Sequence, residues 1–242
     1  MSEYVVHYIA AFYIGPNRNY ANYQKLFSEN PLSFAEKHFQ FLSLCDNHIK
    51  KATFVFNCNL DENLKKQLEN YKLENIDLSI EYYDGLGYSY GSWDHVIKKN
   101  VYSDDYFFLI EDDYIPTCHD FYIPFVERCS LEYPYVCAYA QEKSPGVFFA
   151  SSSNGLLRAE NCKIVYEKYN QLFSELNCST LELAWTTQMN FLDNFYKEGF
   201  NVRDILDEYC TPHMLNCNIN HLVKFGNENA PVLLEPIVVP LP

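Results

Sequence analysis

Positive charge is scarce in this chain. Eighteen lysines and arginines stand against 32 aspartates and glutamates in 242 residues, a formal net charge of −14. So acidic a surface repels nucleic-acid backbones and anionic membranes, which argues against both as partners. It repels a diphosphate as well, unless a bound cation or a local basic group intervenes. No C-x-x-C pair occurs among the nine cysteines, at 45, 58, 118, 129, 137, 162, 178, 210 and 217. Their odd number and scattered spacing argue against a disulfide framework and suit reduced thiols in a cytosol-like compartment. Cys210, His213 and Cys217 could supply three metal ligands, but no fourth partner accompanies them. No basic segment precedes the apolar run over residues 4–14. It follows Glu3, contains His7 and is too short to span a bilayer, so it reads as a first strand and not as a signal peptide. A soluble, cytoplasmic protein is expected. Neither G-x-G-x-x-G nor a Walker lysine is present, against dinucleotide-fold and P-loop readings. No repeat, linker or low-complexity tract interrupts the chain, so one domain is expected over residues 1–242.

Apolar residues are plentiful. Hydrophobic types make up 48% and aromatics 17%, the composition of a globular protein with a sizeable core. Strands are expected over 4–10, 52–57, 76–83, 106–111, 135–139 and 146–150. Helices are expected from Asn30-Pro31 onward, over 62–72 behind an Asp61 cap, around Val96 and Ile97, and over 121–129, 159–176 and 181–197, the last stopped by Gly199. A strand over 201–205 and a proline-punctuated extended segment over 231–240 follow. Strands alternating with helices imply an α/β fold with a mostly parallel central sheet flanked by helices.

Chemistry concentrates at Tyr106-Phe107-Phe108-Leu109-Ile110-Glu111-Asp112-Asp113. A buried strand runs straight into three carboxylates. Strand alternation would put Glu111 and Asp113 on one side and Asp112 on the other. Two co-facial carboxylates call for a counter-charge, which a hard cation such as Mg2+ or Mn2+ supplies through oxygen ligands. Upstream lies Asp84-Gly85-Leu86-Gly87-Tyr88-Ser89-Tyr90-Gly91-Ser92-Trp93. Three glycines in seven residues let backbone approach a ligand, and Ser92 is expected to cap the helix that follows. Trp93 either packs in a core or stacks on a ligand. Tyr13 and Arg18 border the first loop, where an aromatic and a guanidinium could hold a base and a phosphate. Ser153-Asn154-Gly155 is a polar turn able to face sugar hydroxyls. His38 falls on the buried face of its helix and reads as a core-edge residue.

In this order, the segments resemble the GT-A fold glycosyltransferases, family-2-like members that build polysaccharides and glycans. Residues 107–113 resemble the family's apolar strand followed by DxD, with Glu111 in place of the first Asp. Residues 87–93 resemble the glycine-and-aromatic segment before DxD. Ser153-Asn154-Gly155-Leu156-Leu157, then Trp185-Thr186-Thr187-Gln188 and Gly199, resemble the acceptor-side strand and helix. The resemblance implies a nucleotide-sugar-binding half over 1–115 and an acceptor-binding half over 116–242. It implies a metal, Mn2+ or Mg2+, on Asp113, with Glu111 on the donor ribose or the metal and Asp112 near the sugar. Tyr13, Arg18, Asp84, Ser92 and Trp93 would line the nucleotide-sugar site. His213 or His221 would complete the metal site. Ser153, Asn154, Trp185 and Gln188 would meet a glycan acceptor. Many inverting relatives carry Glu-Asp where this chain has Thr187-Gln188. Glu182 first and Asp204 second are the candidate bases, with inversion favoured over retention and UDP as donor nucleotide. The rivals are a metal-dependent phosphohydrolase and a non-catalytic carbohydrate- or nucleotide-binding domain. A haloacid-dehalogenase-type phosphatase would place its DxD after the first strand, which here ends in Ala10-Ala11-Phe12.

Overall fold

The computed structural model describes residues 4–13, 30–45, 49–57, 60–116, 120–137, 140–144, 147–150, 154–174, 176, 190–204 and 222–224. Its strands are β1 (Val6–Phe12), β2 (Ile49–Phe56), β3 (Asp77–Tyr82), β4 (Tyr106–Glu111), β5 (Tyr114–Pro116), β6 (Tyr135–Cys137), β7 (Ala140–Ser144), β8 (Val147–Ala150), β9 (Gly155–Arg158), β10 (Val202–Asp204) and β11 (Leu222–Lys224). Its helices are α1 (Ser33–Leu42), α2 (Glu62–Leu68), α3 (Tyr88–Asn100), α4 (Ile123–Arg128), α5 (Ala159–Tyr169) and α6 (Asp193–Lys197).

Seven strands form one sheet in the order β10-β6-β9-β4-β1-β2-β3. The block β4-β1-β2-β3 is parallel throughout, and β10 runs parallel to β6. Only β9 opposes its neighbours β4 and β6. This is the mostly parallel α/β sheet that the sequence predicts. Gly155 lets β9 sit between them, since a Cβ there would lie 2.5 Å from the Val136 carbonyl oxygen.

β1 is buried along its whole length, which explains its unbroken apolar run. On one face Tyr8, Ala10, Phe12, Phe54, Phe108 and Ile110 pack under Phe34 and Phe41 of α1, with Phe121 and Phe125. On the other, Ile9, Ala11, Val55, Phe107 and Leu109 pack against Trp93, Val96 and Ile97 of α3 and Cys162 and Val165 of α5. Burying each such large side chain contributes about 2 kcal/mol. β3 is the half-wet edge strand that its alternation predicts.

The crossover order positions the site. β1, β2 and β3 step outward in one direction through α1 and α2. α3 then crosses the opposite face and delivers β4 to the other side of β1. The switch of direction therefore falls between β1 and β4, and open α/β sheets bind ligands outside the carboxyl ends of such a pair.

Several expectations are corrected. β4 stops at Glu111, and Asp112 and Asp113 form a turn into β5, so strand alternation does not carry through the triplet. Ser92 is not a cap. α3 begins four residues earlier, after Gly87, and the buried Ser92 hydroxyl donates back to the Tyr88 carbonyl at 3.1 Å. α2 closes at Leu68. α5 closes at Tyr169 because Asn170 adopts a left-handed φ of 57°. Of the helix expected over 181–197, the described part is a helical Asn190, a turn at Phe191 and Leu192 and then α6, and Gly199, φ 78°, ends it as expected. Asp61 caps α2 as expected, accepting from the Asn63 and Leu64 amides at 2.9 Å. The segment over 231–240 lies outside the described residues. No helix among the described residues is long and apolar enough to cross a membrane.

Candidate active site

The carboxyl ends of β1 and β4 meet at Tyr13 and the turn Glu111-Asp112-Asp113. Asp112 is 2% exposed, and its amide, its carbonyl and one carboxylate oxygen serve the framework. Its amide donates to the Ala11 carbonyl at 3.0 Å, the last rung toward β1. Its carboxylate Oδ2 accepts the Tyr13 amide at 3.0 Å. Its carbonyl accepts from His38 Nε2 at 3.0 Å. These three bonds explain why the strand stops at Glu111: they rotate the Asp112 side chain toward β1 and its carbonyl toward α1. Asp112 therefore has a structural role in holding the end of β1 and the turn.

His38 is fully buried. Burial pushes its imidazole down to about 4, against the pull of the Asp112 carbonyl and the Asp113 charge. It is therefore neutral at pH 7. A carbonyl can only accept, so Nε2 carries the proton, and Nδ1 accepts the Tyr8 hydroxyl at 2.7 Å. Burial also keeps that phenol protonated.

Glu111 is half-buried. Its amide donates to the Oδ1 of Asn154 at 2.7 Å, and its Oε1 accepts a long hydrogen bond, 3.4 Å, from the Ser89 hydroxyl. Asn154 is 1% exposed, so its amide side chain ties β9 to the turn instead of facing open solvent. Asp113, 7% exposed, follows directly and exerts its charge on His38. Ser89 belongs to the first turn of α3. Gly87, φ 97°, and Tyr88, φ 50°, both take left-handed conformations to start that helix. A Cβ on Gly87 would sit 2.8 Å from the Leu176 carbonyl oxygen, so glycine is needed there twice over. The Tyr88 ring lies 6.2 Å from that of Tyr13. α3 carries no acid in its first turn, and its amino end brings the positive pole of the helix dipole to the Glu111 side of the turn.

The predicted residues divide accordingly. The structure gathers Tyr13, Glu111, Asp112, Asp113 and Asn154 at one spot. Asp84 is exposed in the segment between β3 and α3. Trp93 is fully buried in the core beneath α3, which removes it from a ligand-facing position. Asp204 ends β10 on the same edge of the sheet as Glu111, three strands away in the order, roughly 14 Å at ordinary strand spacing. Arg18, Ser153, Glu182, Trp185, Gln188, His213 and His221 lie outside the described residues. Ser89 and His38 are contributors that the sequence reading did not place. Helical periodicity put His38 on the buried face, but nothing local shows its partners 30 and 74 residues away.

Among the described residues no group of three or more His, Cys, Asp or Glu side chains could hold a metal ion. By donor chemistry alone, the carboxylates of Glu111 and Asp113 are hard oxygen ligands of the type Mg2+ and Mn2+ take.

No family model matches the chain, and no curated protein matches it. Among solved structures it is similar to S. aureus TarS at 12% identity and a TM-score of 0.49, over 83% of this chain and 35% of that one. It is similar to 4-diphosphocytidyl-2C-methyl-D-erythritol synthase at 9% identity and a TM-score of 0.47, over 87% and 94% of the two chains. A protein from Desulfovibrio desulfuricans G20 assigned as a nucleotide-diphospho-sugar transferase aligns at 13% identity and a TM-score of 0.44, over 84% and 80%. This chain thus spans well under half the length of TarS. At these identities and TM-scores none of the three carries a residue role or an activity over to it.

Proposed function

We propose that the carboxyl end of β4 is the donor site of a metal-dependent glycosyltransferase, which moves a sugar from a nucleoside diphosphate, UDP in the first instance, to a hydroxyl of a glycan acceptor. The observation that carries this reading is the placement of Glu111 and Asp113. They lie on a turn at the sheet's switch point, with the amino end of α3 linked to Glu111 through Ser89.

In sugar transfer, negative charge builds on the departing diphosphate oxygen. A divalent cation on Asp113 and Glu111 would stabilise that charge as a Lewis acid and offset the repulsion a −14 protein exerts on the donor. The chain's own residues prepare the place. Asp112 locks the Tyr13 amide, which fixes the chain where it leaves β1. Tyr13 and Tyr88 offer aromatic surface beside the turn. Ser89 orients Glu111, and the dipole of α3 favours a phosphate oxygen nearby. Deprotonating the acceptor hydroxyl, as inversion requires, falls to Glu182 or to Asp204, whose strand ends on the same edge of the sheet. His213 or His221 would add a metal ligand.

Calorimetric titration of UDP and GDP, with and without Mn2+, tests the reading on the wild type and Asp113→Ala. One nucleotide is expected to bind only with Mn2+, and Asp113→Ala to weaken it by ~100-fold or more, as when one partner of a close charge pair is removed. Metal-independent binding, or binding of neither nucleotide, would overturn it. The first result would move the site to a non-catalytic binding module.

A further inference from the structure

The acidic turn is held from behind by a pair of uncharged buried side chains. His38 on α1 is 0% exposed and donates through Nε2 to the Asp112 carbonyl, and Tyr8 on β1 is 0% exposed and donates to His38 Nδ1. Phe12 and Phe54 pack against the imidazole with centroids at 5.2 and 6.1 Å and nearly perpendicular rings. The ring therefore cannot swing away without opening the core. Asp112 is also the residue whose carboxylate fixes the Tyr13 amide. One imidazole thus sets the carbonyl of the central residue, and that residue ties the turn to the end of β1.

We infer that His38 and Tyr8 form a positioning latch that sets the acidic turn for ligand binding. They touch no ligand and act through Asp112. This rests on the reading of Glu111 and Asp113 as the cation-and-diphosphate site. Holding the turn with a neutral imidazole suits such a site. A buried lysine or arginine at the same place would neutralise the carboxylates permanently and remove their demand for a cation.

Three variants test the latch. His38→Leu removes both bonds. His38→Gln keeps an amide able to span the same two partners. Tyr8→Phe removes one hydroxyl and stands in if His38→Leu fails to fold. Two readouts are taken on the full chain, Mn2+-dependent UDP binding by calorimetry and amide hydrogen exchange at Asp112 and Tyr13, the two amides the turn holds. With His38→Leu, exchange at those two amides is expected to speed by roughly tenfold or more beyond that of the β2 amides. UDP binding should weaken by at least a similar factor, and His38→Gln should restore both. Tyr8→Phe should show the same pattern at smaller size. Uniform acceleration of all sheet amides would mark His38 as a mere core residue and overturn the latch, as would UDP binding within twofold of wild type. If the wild type binds no nucleotide with Mn2+, the functional reading fails on its own. The latch is then decided by the exchange pattern alone.

Discussion

At the amino end of the sheet, His7, Asp104, Thr53 and Lys51 close on one another. At the carboxyl end, Glu111, Asp112 and Asp113 crowd like charges onto a single turn. In the first cluster the Nδ1 of His7 donates to Asp104 at 2.8 Å, and its Nε2 shares a hydrogen bond with the Thr53 hydroxyl at 2.8 Å. Lys51 pairs with the second Asp104 oxygen at 2.6 Å, and Ser79 extends the chain to the sheet edge. The parts are those of a hydroxyl–imidazole–carboxylate nucleophile, yet Thr53 is 2% exposed and lies under α3. No substrate reaches it. Its charges cancel internally, and the network is architecture. At the carboxyl end the Asp112 carboxylate accepts the Tyr13 amide, the neutral His38 imidazole donates to the Asp112 carbonyl, and the Glu111 amide donates to the Asn154 side chain. The two clusters differ in composition: the first sets its one acid against a lysine at 2.6 Å, and the second brings three acids together at the end of one strand.

Removing Asp104 from the first cluster and Asp113 from the second should therefore have opposite signatures. Asp104→Ala leaves a buried imidazole and the Lys51 ammonium without their acceptor and is expected to lower stability by about 3 kcal/mol. Urea unfolding would show this as a lower midpoint at unchanged slope, with Mn2+-dependent UDP binding of the folded protein within twofold of wild type. If Asp104→Ala weakened UDP binding as strongly as Asp113→Ala, the division of labour between the two ends would be wrong.

The pH dependence of the metal-free protein separates the ends more finely. Burial holds His38 at about 4, below its ordinary 6.5, so the unfolded chain takes up this proton first. Its contribution is complete above pH 6.5 and is lost as pH falls toward 4, about 3 kcal/mol in all. Asp104 behaves differently. Burial raises its pKa, but the hydrogen bonds from His7 and Lys51 outweigh burial and leave it lowered. Its contribution is complete above the unfolded carboxylate value of about 3.9 and is lost as pH falls below that, through the folded value. Urea unfolding from pH 7 to pH 3 should then show His38→Gln flattening the upper window and Asp104→Asn only the lower one. Both variants changing the same window would break the assignment.

Much of this was legible in the sequence, for reasons the structure makes plain. Strands buried on both faces write unbroken apolar runs, so β1, β2 and β4 were readable, and the alternation in β3 marked the wet edge. The acidic triplet was readable because charge directly after such a run is unusual. Its geometry was not. The turn at Asp112 depends on Tyr13 and His38, 99 and 74 residues away. No local pattern encodes contacts of that separation. Ser92 was misread because a serine ahead of an apolar helical face satisfies the capping rule, while the start of the helix was set by the left-handed Gly87 and Tyr88. Trp93 was ambiguous until the packing of α3 against β1 and β4 was known. Asn154 had a polar signal in the sequence, but its acceptance of the Glu111 amide depends on β9 running antiparallel beside β4.

The smallest expected effect concerns the contact joining α3 to the acidic turn. The Ser89 hydroxyl reaches Glu111 at 3.4 Å, near the limit for a hydrogen bond, and the carboxylate is half-buried. Such a bond contributes less than about 1 kcal/mol. Ser89→Ala should therefore leave thermal stability unchanged and weaken Mn2+-dependent UDP binding by no more than about fivefold, since 1.4 kcal/mol corresponds to tenfold. Calorimetry on Ser89→Ala beside Asp113→Ala checks this. A loss as large as that of Asp113→Ala would mean that binding shortens the contact and that α3 clamps Glu111 in the loaded state. A loss within fivefold would leave orientation of the turn to the bonds behind it, through Asp112 and Asn154. The amino end would then differ from the carboxyl end in one more respect: its polar side chains hold one another directly, whereas Glu111 and Asp112 are each also held through a backbone group, the Glu111 amide and the Asp112 carbonyl.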